Sequence, residues 1–232
     1  MMKSFQKAGG VAALAMAATW VAAFAVFLGV LVPAGYFDEG IAPVDRARII
    51  ADNQASASIG YLVPYVLWGI LMVVLSLALY DRLKAGAPAI AQTATAFGLI
   101  WAALVVASGL VAAHGIRAVG ELYATDAAQA GAVWAAVATI VGGLGGEAGE
   151  VLGGVWLLLI GWAALRTRDL PRALCYLGIV LGVAGIITVI PPLEPAAFVF
   201  GVGLIVWWVW LGIVTLRGSA TSASGPAVKG AA

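Results

Sequence analysis

Glu147 and Glu150 are the residues whose type and spacing most invite chemistry in this chain. Three positions apart on a helix, they share one face about one turn from each other. Both stand in apolar sequence, between Gly142-Gly143-Leu144-Gly145-Gly146 and Val151-Leu152-Gly153-Gly154. A carboxylate in such a setting is costly unless it faces a bundle interior or a water-filled cavity. There the pair could bind a proton or a cation, each making the other harder to ionise. The plainer reading turns on depth. If the following helix reaches the inner interface at Arg166, Glu147 lies about 28 Å back along it, near the outer interface, where both acids are merely solvated.

His114 and Arg117, also three apart, fall at the outer end of an apolar run. With Glu147, Glu150 and Glu121 they could form an outer-side polar cluster that holds an anion, relays a proton or binds a metal weakly. A histidine alone at a helix end more often makes an interfacial hydrogen bond or answers the helix dipole, and an arginine there snorkels. Tyr61, Tyr65, Trp68 and Met72 recur at spacings of four, three and four, so they share a helix face. That face could line a pocket for a planar cofactor or a lipophile, although core packing with the tyrosines in the outer aromatic belt is the ordinary explanation. Pro64 is placed near the start of that helix, where it costs little. Trp207, Trp208 and Trp210, and Trp162 before Arg166, read as interface anchors.

Several chemistries are set aside. His114 has no second histidine to share a haem, and neither an HExxH nor a P-loop lysine occurs. Lysine is missing from every apolar run, which excludes a retinal-type Schiff base, and Ser76 and Ser108 have no neighbouring histidine to activate them. One cysteine, Cys175, and one histidine are too few for a His/Cys metal framework. The sequence thus names no catalytic set, no metal and no cofactor.

The elements that must position these residues follow from composition. Of 232 residues, 63% are hydrophobic and 10% charged, where a soluble domain carries about 25% charged residues. So few charges cannot solvate the surface of a globule, and the net charge of +1 gives no purchase on nucleic acid. The expected fold class is all-α, a polytopic transmembrane helical bundle forming a single domain over 1–217, with the lipid bilayer as its first partner.

A span needs about 20 apolar residues. Six stretches qualify: Val11–Val32, Gly60–Tyr80, Ala94–Ala113, Val151–Leu165, Leu174–Ile190 and Pro195–Leu216. The first exceeds the 7–15 residues typical of a cleaved signal, so it is read as a signal anchor. With the N-terminus inside, the inner segments hold Lys3, Lys7, Arg82, Lys84, Arg166, Arg168, Arg172, Arg217 and Lys229, and the outer ones only Arg46, Arg48 and Arg117. Both termini are therefore expected in the cytoplasm. Ala42-Pro43-Val44-Asp45 begins a short helix on the outer interface. Ala127–Val141 reads as an outer-side helix, interfacial or partly re-entrant, with the glycine run 142–146 as a bend; a seventh span stays open. The glycines from Gly142 to Gly154 fit tight helix contact, and Gly149-x-x-x-Gly153 with Gly178-x-x-x-Gly182 suggests that the fourth and fifth spans pack together. The tail 218–232 is expected to be disordered.

Boundary motifs recur in series. Arg48-Ile49-Ile50-Ala51-Asp52-Asn53-Gln54 leads into a span ending Ala78-Leu79-Tyr80-Asp81-Arg82-Leu83-Lys84. Leu170-Pro171-Arg172-Ala173-Leu174-Cys175-Tyr176-Leu177-Gly178 opens the fifth span, and the last contains Phe200-Gly201-Val202-Gly203-Leu204-Ile205-Val206-Trp207. This arrangement resembles the bacterial membrane-protein family filed as domain of unknown function 4386, over Lys7 to Arg217. The resemblance implies a six-helix inner-membrane bundle and transfers no site residues. The expected role is non-enzymatic, in binding, assembly or an accessory capacity, with a helix-packing partner or a second copy as candidate partners. The alternatives are a small transporter using Glu147 and Glu150 at a proton or cation site, and a lipid-acting enzyme using His114.

Overall fold

The computed structural model describes residues 2–145, 150–193 and 195–221, and all regular structure among them is helical. Helix α1 covers Met2–Val26 and continues through a wider π-turn, Phe27–Leu31. The outer loop carries α2 (Pro43–Asp52), and α3 (Gln54–Tyr61) passes through a second π-turn, Leu62–Leu67, into α4 (Trp68–Leu83). Then come α5 (Pro88–Tyr123), α6 (Ala127–Gly143), α7 (Val151–Thr167), α8 (Arg172–Ile187) and α9 (Ala196–Thr221).

Four helical stretches are long and apolar enough to cross a membrane: Ser4–Leu31, Gln54–Leu83, Pro88–Tyr123 and Ala196–Gly218. Outward-facing Val21, Ile70, Ile100, Val180 and Phe198 are each more than half exposed, an apolar girdle that water would not tolerate and lipid would. The chain is a membrane protein.

Packing runs in chain order. Helix α1 lies on α4, α4 on α5, α5 on α7, α7 on α8, α8 on α9, and α9 returns to α1. Six helices thus close a ring. Small residues allow the close approaches that lipid does not itself drive. A Cβ on Gly154 would lie 2.6 Å from the Gly182 carbonyl oxygen, and one on Gly212 would lie 2.9 Å from that of Gly10. The expected pairing of the fourth and fifth spans is present as α7 against α8.

Helices α6 and α7 together run back along α5. Gly115 of α5 faces Val137, the Ser108 hydroxyl donates to the Val141 carbonyl (3.1 Å), and lower down Gly153 meets Trp101. Helix α6 follows the C-terminal half of α5 and α7 its N-terminal half. Gly145, with φ +104°, makes the turn that a side chain would oppose. Among the described residues a Cβ on Gly142, Gly143 or Gly145 meets nothing within 4 Å, unlike the glycines of the α7–α8 contact.

Other expectations are revised. Helix α5 spans 36 residues, about 54 Å, well past the predicted Ala94–Ala113, because α2 and α6 continue to cover its outer end. The buried face of α2, Ala47, Ile49 and Ile50, packs on α6 and α5. Pro64 sits ten residues into a continuous helix. Its ring would collide with the Gly60 carbonyl in a regular α-turn, and the π-turn 62–67 absorbs that conflict. Helix α9 runs on to Thr221, past the expected start of the tail, and residues 222–232 lie outside the described residues.

Candidate functional site

Trp68, Trp156, Trp207 and Trp208 are buried to 2% or less, and Trp101 to 4%. Five indoles from α4, α5, α7 and α9 therefore occupy the interior of the ring. This corrects the reading of Trp207 and Trp208 as interface anchors, whereas Trp162 is 48% exposed and lies against the Arg166 guanidinium at 5.2 Å, as an interfacial residue should. Adjacent indoles on a helix point about 100° apart, so both Trp207 and Trp208 can face inward only if neighbours flank α9 on two sides. Closure of the ring onto α1 and α8 supplies them.

The rings meet mostly edge to face. Trp68 stands 4.8 Å from Trp101 and 5.7 Å from Trp208 between ring centroids, and Trp156 stands 5.7 Å from Trp207. Rigid bicycles packed this way cannot fill space completely, and they leave a cavity of about 30 Å³, room for one or two waters. Trp20, Tyr65, Trp68, Trp101, Phe200 and Trp208 line it. Glu150, at the start of α7, is the one lining residue with a formal charge among the described residues.

Two features make this cavity chemically unusual. First, the indole N–H groups of Trp20, Trp68, Trp101 and Trp208 are buried without a hydrogen-bond partner among the described residues. Each such donor costs about 1–3 kcal/mol when left unpaired. By contrast, Trp207 donates to the Leu174 carbonyl at 3.1 Å and Trp134 to the Tyr36 hydroxyl at 3.1 Å. Secondly, the Glu150 carboxylate forms neither an ion pair nor a helix cap among the described residues; only its backbone carbonyl is engaged, by the Gly154 N–H at 2.7 Å. The positive end of the α7 dipole favours its charge without neutralising it.

The Ser76 hydroxyl and the Trp156 N–H, both without partners among the described residues, each come within 2.7 Å of where a Gly98 Cβ would stand, so a side chain at 98 would collide with two buried polar atoms.

The structure joins the sequence candidates differently from their expected grouping. Tyr65 and Trp68 line the cavity with Glu150, and Tyr61 stacks on Tyr65 with centroids 5.4 Å apart. Glu147 lies outside the described residues. His114 and Arg117 are exposed on the outer reach of α5 and do not line that cavity. The Nδ1 of His114 pairs with the Leu110 carbonyl one turn back at 2.9 Å, and the ring borders an apolar groove of about 430 Å³ between α5 and α6. Among the described residues, no group of three His, Cys, Asp or Glu side chains is placed to hold a metal ion. Trp20, Trp101 and Trp208 are the cavity residues that sequence reasoning missed. Each is a tryptophan deep inside an apolar run, away from the charged ends where interface anchors sit, and that position was the available signal.

Residues 8–214 match the family model described as Domain of unknown function (DUF4386). No curated protein and no solved structure matches the chain. The boundary motifs and the matched range agree, and the chain belongs to this family of unknown function.

Proposed function

We propose that the chain is an inner-membrane protein that crosses the bilayer six times, with both ends in the cytoplasm, and that it binds a small molecule in the cavity at the α6–α7 break without transforming it. The six crossings are α1, α3–α4, α5, the interrupted α6–α7 pass, α8 and α9. Orientation is supported by the clustering of bases at one end. Arg82, after α4, donates to the Asp169 carbonyl (2.6 Å) in the α7–α8 turn, and Gly86 lies beside Thr167. This end therefore also carries Lys84, Arg166, Arg168 and Arg172, as a cytoplasmic face does.

The observation that carries the binding role is the Glu150 cavity, a concave and mostly apolar site with a few convergent polar groups. It holds no nucleophile–base pair, which supports binding over catalysis, and His114 stands elsewhere. A second reading, transport, is favoured by one feature. Helices interrupted beside a buried site are the construction of many secondary transporters, and α6–α7 is such a helix.

Two experiments test this. Reporters fused after Arg217 and after Ala124 should report cytoplasm and exterior respectively; the reverse, or both on one side, removes the six-crossing arrangement. The tryptophan emission of the purified full-length protein should respond saturably to at least one of methylammonium, acetate and acetamide. A flat response to all three removes the binding role.

A further inference from the structure

We infer that the cavity is a cage for a small ammonium cation, with Glu150 as its counter-ion and the faces of the surrounding indoles as its walls. This deepens the binding role proposed above and rests on it. The sign of the ligand follows from the lining. Tryptophan has the ring face that attracts a cation most strongly, and Trp20, Trp68, Trp101 and Trp208 meet at one space with Tyr65. Among the described residues, the one formal charge there is negative, and no lysine, arginine or histidine lines the cavity. An anion could accept from the indole N–H groups, but it would sit beside the Glu150 carboxylate where little water screens their repulsion. A neutral solute would leave that carboxylate unpaired. A cation answers both the carboxylate and the ring faces.

Size sets the class further. A space of about 30 Å³ takes an ammonium or a singly methylated ammonium head and little more. A bare sodium ion would keep its waters, which indole faces replace poorly, whereas a methylammonium presents both N–H donors for Glu150 and a methyl for the rings. Gly145 after α6 and Gly201 in α9 contribute backbone to the wall, and among the described residues a Gly201 Cβ would meet nothing within 4 Å.

The test is tryptophan emission and thermal melting of the full-length protein in detergent, with methylammonium chloride, sodium chloride, sodium acetate and acetamide at equal concentration. Methylammonium is expected to shift emission saturably and raise the melting temperature, with the other three giving no saturable change. Glu150→Gln should weaken methylammonium binding by about tenfold or more, the worth of a charge-assisted contact. Trp68→Phe keeps an aromatic wall with a weaker ring face and should weaken it about threefold, which keeps the inference testable if the Glu150 variant fails to fold. An equal response to sodium chloride, or undiminished methylammonium affinity in both variants, overturns the cation cage. A saturable response to acetate or acetamide in place of methylammonium overturns the cage and leaves the binding role standing. Silence towards all four solutes overturns both.

Discussion

The α7–α8 seam and the tryptophan cavity lie side by side in one ring, yet they are built on opposite terms. At the seam Gly154, Gly161 and Gly182 remove side chains until backbone meets backbone, with carbonyl oxygens of the facing helix within 3 Å of where each Cβ would be. At the cavity the largest side chains converge and leave a gap, and around it four indole N–H groups are without a partner among the described residues. In lipid, where apolar side chains gain nothing from leaving one another, contact is what holds helices together. The seam maximises contact and can host nothing; the cavity gives some up, and that sacrifice is the physical mark of a site.

The sharpest way to break this comparison is to add a side chain at each kind of glycine. Gly154→Leu places its Cβ 2.6 Å from the Gly182 oxygen and 2.8 Å from the Ile186 nitrogen, backbone atoms that cannot step aside. It should cost about 3 kcal/mol or more and abolish a monodisperse peak in detergent, as overpacking of a tight interface does. Gly142→Leu, at a position with nothing within 4 Å, should leave the peak intact. Equal damage from both would mean that the seam is not where the ring is held.

Neighbouring tryptophans sharpen the contrast further. Trp207 and Trp208 are equally buried, but only the first has a partner for its N–H among the described residues. Phenylalanine at either position removes similar volume. Trp207→Phe also deletes the bond to the Leu174 carbonyl, whereas Trp208→Phe deletes a donor that has no acceptor among the described residues. Chemical denaturation should find Trp207→Phe less stable by about 1–2 kcal/mol. At the cavity rim, Gly201→Ala meets open space and should stabilise by up to about 1 kcal/mol through helix propensity. A destabilised Gly201→Ala would show that the rim is tighter than its geometry.

The smallest effect lies outside both regions. Lys84, just beyond α4, is held above its ordinary value of 10.5 by the hydrogen bond and charge of Asp81. A raised lysine contributes its stabilisation fully below the unfolded value and loses it as pH rises through the folded one. Melting temperature should therefore be insensitive to this pair from neutral pH to about 10 and fall slightly above that, a fall that Asp81→Asn abolishes and salt diminishes.

Much of the scaffold was legible along the chain. Ala127–Val141 anticipated α6 to within two residues, since the glycine run ends an apolar stretch. At its start the structure adds a cap, the Asp126 carboxylate accepting from the Gln129 N–H at 2.9 Å. The pairing of α7 with α8 was expected from the spacings 149/153 and 178/182, but Gly154 and Gly161 against Gly182 and Cys175 make it. Gly153 faces Trp101, Gly178 faces Trp207, and Gly149 lies outside the described residues. Pro64 was misplaced because helix starts are read from capping residues, and Asn53 begins α3 without a side-chain cap. His114 and Arg117 were grouped with Glu150 because all were taken to share one outer level. The length of α5 separates them, carrying His114 above the bend while Glu150 turns inward.

By itself the sequence determined the solvent, the helices and their ends. These are local matters: about twenty apolar residues cross a bilayer, prolines and charges stop a helix, and bases stay on the cytoplasmic side. Only the tertiary structure decided that α9 would close on α1, and so that Trp20, Trp68, Trp101 and Trp208 would surround Glu150. Those residues lie as far as 188 positions apart, from Trp20 to Trp208. No periodicity within one helix can encode which of its faces meets another helix that distant, because in lipid an inward and an outward indole are equally at home until packing chooses between them.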